Sequence, residues 1–125
     1  MYACINNNLE AVKQILKKGA NINIVDNNYK TSLAYACEKD YEEVVRVLLD
    51  YHSIINNRDE HEKTAIFYSC ERGNVGIAEK LIQKGAYINI RDSEGRTPLI
   101  YAIIHGHGAM VEFLLRNEAT VNDKD

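Results

Sequence analysis

The chain has 125 residues, the length of a single structural unit, and its 46% hydrophobic and 26% charged content is that of an ordinary soluble protein. A formal charge of −3 and a pI near 5.8 give no whole-chain attraction to nucleic acid or to an anionic membrane. No apolar run approaches the roughly 20 residues needed to span a bilayer, and the start, Met1-Tyr2-Ala3-Cys4-Ile5, lacks the basic residues and long apolar stretch of a secretory signal. With three cysteines and no Asn-x-Ser/Thr sequon, an intracellular, cytoplasmic protein is expected.

In chain order, the first helix with a clear apolar stripe carries Ala11, Val12, Ile15 and Leu16. Lys18-Gly19-Ala20 ends it, because glycine takes the left-handed backbone that stops a helix. A polar turn around Asp26-Asn27-Asn28 follows. Thr31 then caps a short helix in which Leu33, Ala36, Cys37 and Asp40 fall at i, i+3, i+4 and i+7. A second helix runs from about Glu42 to Asp50, with Val44, Val45, Leu48 and Leu49 on one face. The pair then recurs. Thr31-Ser32-Leu33-Ala34-Tyr35-Ala36-Cys37, Thr64-Ala65-Ile66-Phe67-Tyr68-Ser69-Cys70 and Thr97-Pro98-Leu99-Ile100-Tyr101-Ala102-Ile103 restart 33 residues apart without a gap. Their second helices carry Ile77, Ala78, Leu81 and Ile82, then Met110, Val111, Leu114 and Leu115, and the turn residues Asp26, Asp59 and Asp92 stay in register. A fixed period of this length means stacked units, each burying its neighbour's apolar face.

These motifs resemble ankyrin repeats over nearly the whole chain. The best match is Asp92-Ser93-Glu94-Gly95-Arg96-Thr97-Pro98-Leu99, followed by Gly106-His107 and the segment from Val111 to Asn122. The resemblance implies an α-helical repeat solenoid of antiparallel helix pairs, with hairpin fingers along one edge. It divides residues 1–125, a single domain, into units 1–30 (partial), 31–63, 64–96 and 97–125 (partial). Departures are visible. The family's histidine after Thr-Pro-Leu is Ala34, Phe67 or Ile100 here, so its Thr–His hydrogen bond is missing. The finger glycine survives only as Gly95, with Tyr29 and Glu62 in the matching places; His52 and Glu118 replace the helix-ending glycine. A non-glycine residue at positive φ costs on the order of 1 kcal/mol, so these units are expected to be looser or to bend their turns differently. Met1 aligns with Ala34 and Asp125 with Asp92, and neither end carries a polar cap. The expectation is a piece of a longer chain, or ends covered by self-association.

Cys4, Cys37 and Cys70 recur at the same period. Equivalent positions in stacked helices lie roughly 8–10 Å apart, beyond the reach of a disulfide, so they read as core. His105-Gly106-His107 lacks two further ligands at zinc spacing, and no phosphate loop or nucleophile elbow is present. Neither catalytic residue, cofactor nor metal is expected. Tyr2, Tyr35, Tyr68 and Tyr101 form a column that reads either as stacking between units or as an aromatic ladder for a partner. The family's partner face is the concave groove, toward which Tyr35, Glu38 and Lys39 point from the side opposite Leu33. Candidate contacts are therefore Tyr35, Glu38, Lys39, Tyr68, Glu71, Arg72, Tyr101, Ile104 and His105 on the helices, with Glu60, His61, Glu62, Ser93, Glu94 and Arg96 on the fingers. Ile104 is unusual, an apolar residue where the other complete units place an acid. The finger asparagines Asn23, Asn56, Asn89 and Asn122 read as turn-stabilising; the resemblance also makes them candidate hydroxylase substrates. The reading is a non-catalytic module, a scaffold segment of a larger protein, that binds another protein, with no nucleic-acid or membrane partner. The alternative is a structural segment that oligomerises through its ends.

Overall fold

The computed structural model describes residues 1–117 and Ala119. Among them, eight helices form four consecutive pairs: α1 (Tyr2–Ile5) with α2 (Leu9–Lys17), α3 (Ser32–Glu38) with α4 (Glu42–Asp50), α5 (Ala65–Arg72) with α6 (Val75–Gln83), and α7 (Pro98–Ile104) with α8 (Gly108–Arg116). No described helix is long and apolar enough to cross a membrane.

Local chemistry sets where these helices start and stop. The Thr31 and Thr97 hydroxyls accept from the N–H groups of Ala34 and Ile100, at 3.2 and 3.3 Å, and so satisfy free donors in the first turns of α3 and α7. Asn8 and Asn74 do the same for α2 and α6. Within each pair the chain reverses through a left-handed residue: Asn7, Asp40, Gly73 and Gly106, with φ between 55° and 74°. Asp40 is thus the turn residue after α3 and not, as its spacing suggested, a member of that helix's buried face.

The first helices stack in the order α1, α3, α5, α7, and the second in the order α2, α4, α6, α8. Small residues fill the first stack: Ala36, Cys37, Cys70 and Ala102 are all fully buried. The three cysteines are buried and unpaired. Burial pushes the Cys37 thiol up and takes Cys70 to about 12, which keeps both protonated. Position in the stack decides burial along the second helices. Leu48, Leu81 and Leu114 are buried, while Ile15, at the matching place in α2, is 41% exposed. Units are also bonded to one another. Asn74 Nδ2 donates to Asp40 Oδ1 at 2.7 Å, and His107 Nε2 donates to the Glu71 carbonyl at 2.8 Å. The His107 ring lies so close over Gly73 that a Cβ there would come within 2.6 Å of it.

Replacing glycine leaves the finger turns unchanged and keeps a left-handed residue at the end of α4. Tyr29 and Glu62 adopt φ of 58° and 59°, as Gly95 does at 78°, and His52 at 61° stands where Gly19 and Gly85 take 83° and 101°. The expectation of differently bent turns is corrected at the fingers, where the geometry is kept and strain is carried instead. After α4 the turn does differ: Ser53 Oγ donates to the Leu48 carbonyl at 2.8 Å, where the N–H groups of Ala20 and Ala86 close the matching turns onto Ile15 and Leu81. Glu118 lies outside the described residues.

The fingers are turns organised by their aspartates. Oδ1 of Asp26 accepts from the N–H groups of Asn28 and Lys30; Asp59 and Asp92 repeat this pattern, all at 2.8–3.0 Å. Neighbouring fingers are tied by Glu60 N–H to the Asn28 carbonyl and by Ser93 N–H to the His61 carbonyl, both 2.9 Å. The finger asparagines reach forward by one unit. Asn23 Oδ1 accepts from Ile54 N–H at 2.8 Å and Asn56 Oδ1 from Tyr87 N–H at 3.0 Å. Asn122 lies outside the described residues.

Candidate recognition surface

The second oxygen of each finger aspartate is also used. Nine residues after Asp26, Asp59 and Asp92, a tyrosine hydroxyl from the following helix donates to Oδ2: Tyr35, Tyr68 and Tyr101 respectively. One carboxylate thus holds its own turn through Oδ1 and locks the turn to the helix through Oδ2. The electrostatic consequences follow. Burial works to raise the Asp26 and Asp92 carboxyls, but the tyrosine and backbone hydrogen bonds outweigh it and hold both below the usual carboxylate value. Donation to Asp26, with some burial, pushes the Tyr35 phenol up to about 12. Burial and the bond to Asp59 raise Tyr68 further.

Cations alternate with these rings. Lys30 Nζ lies 4.6 Å from the Tyr35 ring centre and 4.2 Å from that of Tyr68. Lys63 Nζ lies 5.4 Å from Tyr68 and 4.5 Å from Tyr101, and Arg96 is 5.8 Å from Tyr101. Lys30 is only 8% exposed and therefore needs a counter-charge, which Glu38 supplies through a direct ion pair. Glu71 serves Lys63 likewise at 3.3 Å. Burial works against the charged form of Lys63, yet Glu71 and Tyr101 outweigh it and raise its pKa. The column is largely self-neutralising, with the faces of Tyr35, Tyr68 and Tyr101 occupied by an ammonium from the finger just before the ring's helix or from the finger one repeat earlier.

Two cavities lie over this column. A cavity of about 350 Å³ brings together Tyr35, Glu38, Glu60, His61, Tyr68 and Glu71 with the two lysines. An adjoining one of about 360 Å³ shares Glu38, Tyr68 and Glu71 and adds Arg72 and His105. Lys39, Glu62, Ser93, Glu94, Arg96, Tyr101 and Ile104 line neither, although all but Tyr101 are exposed. Tyr68 and Tyr101 are 5% and 4% exposed, so packing between units describes them, while Tyr35 is half-buried and Tyr2 stands out in solvent at 81%. Lys30, Lys63 and Asp59 belong to the surface's framework but not to the candidate contacts named from the sequence, where Asp59 reads as a turn residue. The signal for them was present: aspartate and tyrosine recur in register nine residues apart, with a cation between.

Compared with known families, the model for ankyrin repeats, built of three copies, matches residues 1–92 and 54–125, which together cover the chain. No curated protein matches it.

Proposed function

The chain belongs to the ankyrin-repeat family, whose members are in general protein–protein interaction modules and not catalysts, and on that premise we propose that its concave face binds a partner protein. The observation that carries this reading is the contrast between frame and tips. The Asp–Tyr ties are the same in three units, while the side chains they present differ: Asn27, Asn28 and Tyr29, then Glu60, His61 and Glu62, then Ser93, Glu94 and Gly95. A rigid frame with varied tips suits recognition, because little ordering entropy is lost on binding. The module serves as the recognition segment of a scaffold, and its three buried free thiols suit an intracellular setting.

Lys39→Glu and Arg72→Glu alter exposed side chains at the ends of α3 and α5 and touch no buried contact. Used together as bait against the wild type, they are expected to lose a captured partner while melting at the same temperature. Capture unaffected by these changes, and by Glu60→Ala with His61→Ala, overturns the concave-face reading. A second reading, self-association, is favoured by exposed Ile103 and Leu115 around an apolar cavity of about 420 Å³. It is distinguished by a mass that rises with concentration in sedimentation experiments.

A further inference from the structure

The ladder of cations and acids breaks in the fourth unit. At the two earlier junctions of finger and helix, the cation closing the finger is neutralised by an acid eight residues on, Lys30 by Glu38 and Lys63 by Glu71. The same step from Arg96 arrives at Ile104, which is 55% exposed. Among the described residues, Arg96 has its ion pair with Glu94 at 4.0 Å, between side chains 45% and 65% exposed, a contact that contributes little in water. Arg96 also meets Tyr101, whose hydroxyl donates to Asp92, but a neutral phenol supplies no counter-charge. Glu38 and Glu71 each stand on the helix that directly follows their lysine's finger, and the helix that follows Arg96 offers Ile104 at that place.

The cation changes along with the acid. A lysine suits a buried point contact between two rings, whereas the arginine fork takes a carboxylate through two parallel N–H bonds. Arg72, at the end of the neighbouring helix α5, brings a second exposed guanidinium to the adjoining cavity, which Glu38 and Glu71 also line. We infer that Arg96 and Ile104 form a docking position for an acidic side chain of the partner protein, whose carboxylate takes the place of the missing glutamate while an adjacent apolar side chain lies on Ile104. The inference rests on the concave-face reading and adds to it the chemistry of the partner: Asp or Glu next to an apolar residue. Glu94, beside Arg96, favours a singly charged carboxylate over a doubly charged phosphate.

The test selects peptides from a displayed random library on the full chain. Enriched sequences are expected to pair Asp or Glu with an apolar neighbour. Arg96→Met should weaken them about tenfold or more, the loss expected when a hydrogen-bonded charge pair is broken. Ile104→Glu returns the internal acid and should weaken them similarly, yet it should raise the melting temperature by closing the pair with Arg96. This second variant keeps the test decisive if Arg96→Met does not fold. Enriched peptides without an acid, or acidic ones indifferent to both variants, overturn the inference. In that case the concave-face reading survives if Arg72→Glu still abolishes binding. Binding insensitive to Arg72→Glu and Lys39→Glu as well, or no enrichment at all, overturns both. Phosphoserine versions that bind much more tightly than their glutamate counterparts overturn the choice of carboxylate.

Discussion

Thr31, Thr64 and Thr97 hold one place in three units, yet only two of them cap a helix. The Thr64 hydroxyl is buried and has no hydrogen-bond partner. Its carbonyl accepts from Phe67 N–H at 3.1 Å, and the fully buried Phe67 side chain packs edge-on against Tyr101. At this position the family has a histidine that bonds the threonine, and a phenyl ring offers no such group. Thr64→Val should therefore raise stability by about 1 kcal/mol, since it removes an unpaired buried hydroxyl at constant shape. Thr31→Val should lower stability by about 1 kcal/mol through loss of its cap. Urea unfolding of both variants checks the opposite signs; equal destabilisation would mean that the Thr64 hydroxyl is satisfied. The threonine column was legible in the sequence. The odd member was not, because whether a hydroxyl caps depends on a rotation of the first turn that spacing does not encode.

At the scale of the element, turns without glycine keep a left-handed residue and carry strain. Tyr29 and His52 are exposed residues held at φ of 58° and 61°. Tyr29→Gly and His52→Gly should each stabilise the protein by up to about 1 kcal/mol, the left-handed penalty less the entropy that glycine brings to the unfolded chain. Gly85→Ala, at φ 101°, should destabilise it. Thermal melts decide, and a loss of stability in the first two would show that those side chains make compensating contacts. The helices were the most readable elements: the apolar spacing located α4 at Glu42–Asp50, as found. The end of α3 was misplaced past Glu38, because Asp40 fits the helical period but sits in the reversal that every pair shares. Periodicity reports which face a residue would occupy in a helix. It does not report where the chain leaves the helix.

At the scale of the whole molecule, the Asp–Tyr column sets a pH window. The Asp26 and Asp92 carboxyls are held below the ordinary 3.8 in the fold, so their contribution is complete above that value and is lost as pH falls through the folded one. Tyr35 is raised from 10.0 to about 12, so its contribution is complete below 10.0 and is lost as pH rises toward 12. Denaturant unfolding across pH should show both losses, and Tyr35→Phe should flatten the alkaline one. An alkaline limb unchanged in that variant would count against the tie to Asp26. The sequence by itself determined the order of helices, the period and the columns, because an array in which every unit meets the same neighbour writes its contacts as repetition. Only the tertiary structure decided what the columns do. Lys30 meets Tyr68 only when two units are stacked, and that contact binds the tyrosines into the framework instead of leaving them as a free ladder. A one-dimensional pattern records which positions are equivalent, whereas their chemistry depends on the distances that stacking creates between them.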